Sequence, residues 1–252
     1  MPSGEELSSF YPSDYHSQTA GGVLSRIRHQ MRLRRLGEWL RPGDLALDFG
    51  CGNGSFVDYA AKKLPRCQFI GYELAPRDSA EERAGGQVKI VRGSFNHLLN
   101  SLPSCRLITM NHVIEHLPDP GNVLSMLHGS LSNGGILVGQ TPAAGSWEHK
   151  LFKTAWSGFH APRHTVIFSR KGLEHLLATT GYSEVSCHGA VNPASVAISL
   201  ASWFRKSRAP IRRTGLPWLF WVGAASVFSP IDLFSSSPAI MDFQACKRDS
   251  HG

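Results

Sequence analysis

Between Val23 and Leu40 the apolar residues Leu24, Ile27, Met31, Leu36 and Leu40 recur at helical spacing, with arginines at other positions, until Pro42 and Gly43 end the run. The pattern predicts an amphipathic lead-in helix. Strand-length apolar runs follow at 45–49 (LALDF), 68–74 (QFIGYEL), 88–91 (VKIV), 106–111 (RLITMN) and 135–140 (GILVGQ), with helix-length segments between several of them. A helix over about 170–180 stops at Gly181, and strand candidates stand at 182–187 and 239–247. This alternation predicts an α/β fold, a doubly wound, mainly parallel sheet of seven strands with helices on both faces. Residues 190–236 differ in composition from the rest and are expected to form a helical insertion before the last strand. The expected organisation is therefore an N-terminal lid and helix (1–42), a catalytic domain (43–189 and 237–248) and an aromatic, basic insertion (190–236).

Composition supports a folded catalytic domain. Hydrophobic residues make up 42% of the 252-residue chain and charged residues 18%, enough for a core without covalent staples. The five cysteines, Cys51, Cys67, Cys105, Cys187 and Cys246, lack metal-ligand spacing and suit a reducing compartment. The first residues, MPSGEELSSF, do not read as a secretory signal, so a cytoplasmic location is expected. The net charge of +7 is concentrated in two runs: Arg26, Arg28, Arg32, Arg34 and Arg35, then Arg205, Lys206, Arg208, Arg212 and Arg213. The second run directly precedes an uncharged aromatic stretch.

The chemistry centres on LDFGCGNGSF, residues 47–56. Asp48 stands at a strand end, and Gly50, Gly52 and Gly54 follow before a helical pattern resumes at Phe56. Glycines let the backbone turn tightly and lie against a ligand with no Cβ in the way. The spacing is GxGxG rather than GxGxxG, which argues against a dinucleotide. Glu73 closes the second strand, where a carboxylate can accept hydrogen bonds from both ribose hydroxyls.

With these residues in place, the chain resembles the class I S-adenosylmethionine-dependent methyltransferase superfamily, and within it a bacterial small-molecule group that includes the ubiquinone-type methylases. The resemblance covers about 11–187 and the last strand. It implies a Rossmann-like sheet and S-adenosylmethionine as cofactor. By the same resemblance Asp48 holds the methionine moiety, Phe49, Gly50, Cys51, Gly52 and Gly54 form the cofactor loop, and Glu73 binds ribose with Leu74 beside it. The group usually carries an Asp after the third strand to contact adenine. Here Gly93, Ser94 and Phe95 occupy that place, so the contact is expected from Ser94 or the backbone, with Phe95 as a stacking wall. Asn111 and His112, after the fourth strand, are implied to line the cofactor and the substrate mouth.

Methyl transfer is an in-line displacement that needs alignment, and a base only when the nucleophile carries a proton. The candidate bases are His112, His160 and His164, which titrate in the useful range. Trp156 and Arg163, in a segment resembling the substrate region of the group, are candidate substrate contacts. Tyr15, with Tyr11 and His16, resembles part of an N-terminal lid. His112, Glu115 and His116 also spell HxxEH, a zinc peptidase pattern. A zinc site would need a distant third ligand, for which Glu184 is the candidate, and the pattern begins at a strand end rather than inside a helix. No metal is expected.

From Thr214 to Ile231 no residue is charged, and Trp218, Phe220, Trp221 and Phe228 cluster there. Pro217, Pro230, Gly215 and Gly223 disfavour a straight spanning helix, so the insertion reads as a helical hairpin lying on a membrane surface, or as a cover for the core or an oligomer contact. Tryptophans and neighbouring arginines suit the headgroup region on the inner face of a membrane. The expected acceptor is a small or lipid-linked molecule, methylated most readily on oxygen. The competing readings are a nucleic-acid methyltransferase, disfavoured by the absence of an NPPY-like motif and of a recognition module, and a non-catalytic membrane-associated protein that keeps the cofactor fold. No nucleic-acid partner is expected.

Overall fold

The computed structural model describes residues 23–160, 163–205, 215–235 and 237–248. The lead-in helix α1 (Val23–Gly37) precedes β1 (Leu45–Phe49), and α2 (Ser55–Lys63) follows the glycine loop. Then come β2 (Gln68–Leu74), β3 (Ser79–Arg83), β4 (Val88–Gly93), α3 (Phe95–Leu99), β5 (Cys105–Asn111), α4 (Pro120–Ser130) and β6 (Leu131–Pro142). The chain continues through α5 (Trp147–Phe152), α6 (Arg170–Thr179) and β7 (Ser183–Gly189). It ends with α7 (Pro193–Arg205), α8 (Gly215–Phe228), α9 (Ile231–Phe234) and β8 (Ile240–Cys246).

These strands form one sheet in the order β3-β4-β2-β1-β5-β6-β8-β7. The five from β4 to β6 run parallel, and β8 pairs antiparallel with both β6 and β7. The expected doubly wound, mainly parallel architecture is present, with eight strands rather than seven. The additional strand, β3, is SAEER, polar and solvent-facing along nearly its whole length. It carries no hydrophobic signal because it lies on the sheet edge and is held by its backbone pairing to β4. Arg83 at its end donates to Asp58 of α2 and to the Asn53 carbonyl, which fastens the hairpin over the glycine loop.

Core packing follows the two faces of the sheet. Leu47, Ile108, Met110, Leu124, Leu137 and Phe243 pack on one side, and Phe56, Val57, Phe69, Val88, Ile90 and Leu107 on the other. Each such side chain contributes about 1.5–3 kcal/mol on burial. The alternation along β1, with Ala46 facing one layer and Leu47 the other, fixes the direction in which the strand's last residues present themselves to the loop.

The insertion stands between β7 and β8. Helices α7 and α8 pack on each other around Val196, Ala197, Trp218 and Ala225, with Trp147 of α5 beneath. Among the described residues no helix is long and apolar enough to cross a membrane. The basic residues Lys206, Arg208, Arg212 and Arg213 lie outside the described residues.

Candidate active site

At the end of β1 the chain enters the loop with Gly50 at φ +81° and Gly54, the capping residue just before α2, also at φ +81°. A Cβ on Gly50 would sit 2.3 Å from Val113 Cγ2, and one on Gly54 would meet Ile90 Cδ1 at 2.8 Å. Both the backbone conformation and the close approach exclude a side chain. The loop is tied to β2, since Gly50 and Cys51 N–H both donate to the Tyr72 carbonyl and Gly52 N–H donates to Glu73 Oε2 at 2.6 Å. Arg92 of β4 donates to the Gly52 carbonyl. Glu73 thus stands at the end of β2 directly against the loop.

Cys51 packs over Gly71, where a Cβ would lie 2.8 Å from its Sγ. Burial, together with the charges of Asp48 and Glu73, pushes its thiol well above the ordinary range, so it stays protonated and contributes packing rather than nucleophilicity. Phe49 is buried and meets the Tyr72 ring at 4.9 Å and the Phe95 ring edge-on at 5.5 Å. Phe95 therefore turns toward the core side of this aromatic group. Leu74 is largely exposed beside Glu73.

Asp48 is only 3% exposed. Its Oδ1 accepts from Thr109 Oγ1 at 2.7 Å and pairs with Arg32 of α1. Arg32 also donates to Thr109 Oγ1, and with its amide correctly oriented the Asn111 side-chain oxygen accepts from the same guanidinium at 2.8 and 3.1 Å. The guanidinium carbon lies 3.7 Å from the Phe56 ring centroid, a cation–π contact. Sequence reading placed Arg32 only on the polar side of an amphipathic helix. Its destination, a buried anion at the carboxyl end of the sheet, depends on how α1 crosses β1 and β5.

Ser94 does not point its hydroxyl outward unencumbered. It caps α3 by accepting from His97 N–H, and its own N–H donates to Asp78 Oδ1 at 2.9 Å. Asp78, from the β2–β3 turn, also lies against the α-carbon of Gly93. An acidic group thus reaches the end of β4 from elsewhere in the chain. The signal for it was invisible because Asp78 precedes a strand that the hydrophobic pattern did not reveal.

Beyond Asn111, His112 adopts φ +53°. Its Nδ1 lies 3.3 Å from Glu115 Oε1, and Nε2 lies 3.1 Å from Gln140 Oε1. Gln140 is oriented by donating to Asp242, which also accepts from Arg35. Both ring nitrogens of His112 therefore face acceptors, the pattern of an imidazolium. Burial opposes the charged form, but the Glu115 carboxylate, with Gln140 and Asp242, outweighs it and raises the His112 pKa above the usual histidine value. The ring remains 42% exposed, which softens the burial contribution.

His164 is half-buried, and its Nδ1 donates to the Gly158 carbonyl at 2.6 Å. Burial lowers its pKa. His160 is exposed and its ring stands 5.3 Å from that of His164. Arg163 lies in the same loop, its carbonyl accepting from His116 Nδ1. Trp156 is buried, stacked on His149 at 4.8 Å and supporting the loop from within. The histidine-rich segment and the turn after β5 are thus brought together, with Trp156 beneath them. Tyr15 lies outside the described residues. Glu184, the third ligand a zinc reading of HxxEH would need, is beside Cys246, at the opposite end of the strands.

A doubly wound sheet with a glycine loop, a carboxylate at the end of the second strand and a buried Asp–Arg pair at its carboxyl edge defines a class I, S-adenosylmethionine-binding methyltransferase fold. Residues 25–186 match the model of the methyltransferase domain family, and the chain belongs to that family. Trans-aconitate 2-methyltransferase of Methylobacterium radiotolerans is 32% identical over 100 residues, 39% of this chain and 38% of that protein. Malonyl-(acyl-carrier protein) O-methyltransferase of Paenibacillus sp. is 26% identical over 154 residues, 56% of each chain. The chain thus spans about half or less of these curated relatives. Among solved structures, a SAM-dependent methyltransferase from Archaeoglobus fulgidus superposes with a TM-score of 0.55 at 18% identity, covering 92% of this chain and 98% of that one. Phosphoethanolamine N-methyltransferase 2 of Haemonchus contortus, in complex with S-adenosyl-L-methionine, gives 0.55 at 14% identity, covering 88% and 53%.

The donor set fits this cofactor. Asp48 and Arg32 together offer an anion and a cation to a zwitterionic methionyl group, and Glu73 offers a carboxylate to vicinal hydroxyls.

Proposed function

We propose that this protein transfers a methyl group from S-adenosylmethionine to an oxygen of a small, anionic or lipid-linked acceptor presented at a membrane surface. The sulfonium methyl of the bound cofactor supplies the electrophile. Asp48 and Arg32 orient its methionyl end, Glu73 takes the ribose hydroxyls, and Asp78 with the Ser94 backbone stands in for the adenine-contacting acid. Leu74 provides an exposed apolar edge beside the ribose site.

His112 and Arg163 supply positive charge at the mouth and hold an acidic acceptor. The relatives' names, which include an O-methyltransferase and the carboxylate-bearing acceptors aconitate and malonyl, support an oxygen acceptor. His112 already faces acceptors at both nitrogens and so serves as a positioning cation. His164 is held as the neutral Nδ1–H tautomer, the form that a base or a metal ligand requires.

The membrane part rests on one observation. The hairpin leaves Trp203, Phe204, Phe220, Phe228, Leu233 and Phe234 exposed, the last at 90%. It joins the sheet where β7 ends and β8 begins, and Ile240 of β8 pairs with Pro142 at the end of β6, so it stands at the same end of the sheet as the glycine loop. Such an apolar patch beside a catalytic mouth suits shallow insertion among lipid headgroups.

Labelled S-adenosylmethionine incubated with fractionated soluble and membrane extracts should label a component of the membrane fraction. Phe220→Ser with Phe234→Ser should reduce co-sedimentation with anionic vesicles while leaving cofactor binding intact. Label confined to soluble molecules, together with unchanged vesicle binding, would overturn the membrane assignment.

A further inference from the structure

The 3-10 turn Ile114–His116 drops Glu115 into the interior, 0% exposed, at the carboxyl end of β5. Its Oε2 accepts from Thr141 Oγ1 at 3.0 Å. Its Oε1 is buried without a hydrogen bond of good geometry, with His112 Nδ1 at 3.3 Å as a charge contact. A carboxylate buried this deeply is costly unless cationic groups stand against it, as the His112 ring does at Oε1.

The loop bearing His164 is laced to this same turn. Thr165 N–H donates to the Glu115 carbonyl at 2.8 Å, and its hydroxyl donates to the Leu117 carbonyl at 2.9 Å. As a result one ligand atom each from Glu115, His116 and His164 lies within 4.8 Å of the others. The two imidazole rings stand 4.7 Å apart.

Both rings are also set in a matching tautomer. His116 Nδ1 donates to the Arg163 carbonyl at 2.9 Å, and His164 Nδ1 donates to the Gly158 carbonyl at 2.6 Å. These bonds assign the lone pair of each ring to Nε2. A backbone carbonyl behind Nδ1–H is the outer support that metal-ligating histidines use to fix orientation and raise basicity. Two supported imidazoles and one buried carboxylate form the donor set of an open three-ligand site for a borderline-soft divalent cation.

We infer that Glu115, His116 and His164 bind a divalent transition-metal ion of the zinc type and leave it a coordination position for the acceptor oxygen. Tetrahedral ligands at zinc distances lie about 3.4 Å apart, so donors now within 4.8 Å of one another would draw together by up to about 1.4 Å on binding. The HxxEH pattern thus contributes its Glu and second His, while the third ligand comes from the loop after α5. Glu184 has no part in it. A bound cation would lower the pKa of a coordinated hydroxyl and replace a general base. That role rests on the oxygen-acceptor reading, whereas the site itself does not.

The test is Co2+ titration of the chelator-treated full-length protein, followed by visible absorption and by competition with Zn2+. One equivalent should produce ligand-field bands that Zn2+ displaces. His164→Ala and Glu115→Gln should each weaken binding about 10-fold to 100-fold or more. Far-ultraviolet circular dichroism and S-adenosylhomocysteine binding, the latter resting on residues outside the cluster, report whether each variant folds, and His164→Gln serves as the milder replacement. Absent bands in the wild type, or equal affinity in folded variants, would overturn the site. If binding holds and chelation leaves methyl transfer unchanged, the metal's role is overturned. Failure of the membrane-acceptor reading would appear instead in the extract-labelling experiment, with Co2+ binding unaffected.

Discussion

Glu148 offers a sharp test of how the insertion is seated. It lies on α5, 0% exposed, and its Oε2 accepts from the hydroxyls of Ser195 and Ser199, one turn apart on α7, each at 3.1 Å. Its Oε1 is buried without a hydrogen bond, and the neighbouring charged group is Asp232, which accepts from Trp147 Nε1 and Ala239 N–H. Burial dominates and pushes Glu148 from 4.5 up to about 7, against the bonds from Ser199 and Ser195, with Asp232 adding to the rise and Trp156 opposing it. A carboxyl whose folded pKa is raised keeps its proton in the folded state while the unfolded chain ionises. Stability therefore falls as pH climbs from 4.5 to about 7, and above that window the deficit is complete. The gap corresponds to about 3 kcal/mol at roughly 1.4 kcal/mol per tenfold. Glu148→Gln removes the proton exchange. Urea unfolding from pH 5 to 8.5, followed by circular dichroism, should show the variant gaining on the wild type by up to about 3 kcal/mol as pH rises, then levelling off. Burial raises Asp232 as well, so any residual slope in the variant should carry the same sign. Parallel stability curves would refute the buried-carboxyl account.

Three further outcomes are expected. Gly50→Ala combines a positive φ with a 2.3 Å clash against Val113, so it should cost about 1–3 kcal/mol in unfolding experiments and loosen S-adenosylmethionine binding at least about tenfold by calorimetry. Glu73→Gln keeps the shape but loses the charged acceptor of Gly52 N–H, and cofactor affinity should drop about 10-fold to 100-fold with the far-ultraviolet spectrum unchanged. Arg32→Met leaves Asp48 buried without its cation, so unfolding should reveal a loss of about 3–5 kcal/mol, while Arg32→Lys restores charge without the guanidinium's several donors and should recover only part of it.

The sequence by itself determined the parts whose physics is local. Strands β1, β2, β5 and β6 carry continuous apolar runs because both faces are covered, and that periodicity survives in one dimension. The glycine loop is legible for the same reason: its turns and close approaches are demanded residue by residue, and Glu73 follows at the end of the next strand. The tertiary structure decided the rest. Strand β3 is held by edge pairing of the backbone, which leaves no mark on side-chain hydrophobicity. Arg32 and Asp78 reach the site through the crossing of a helix and the return of a hairpin. The Glu115, His116 and His164 cluster exists because Thr165 fastens a loop from beyond β6 to the turn after β5. Glu148 meets Ser195 and Ser199 only when the insertion folds back on α5. In each case the partners are distant in sequence, and their choice was set by which surfaces the sheet and helices had to bury.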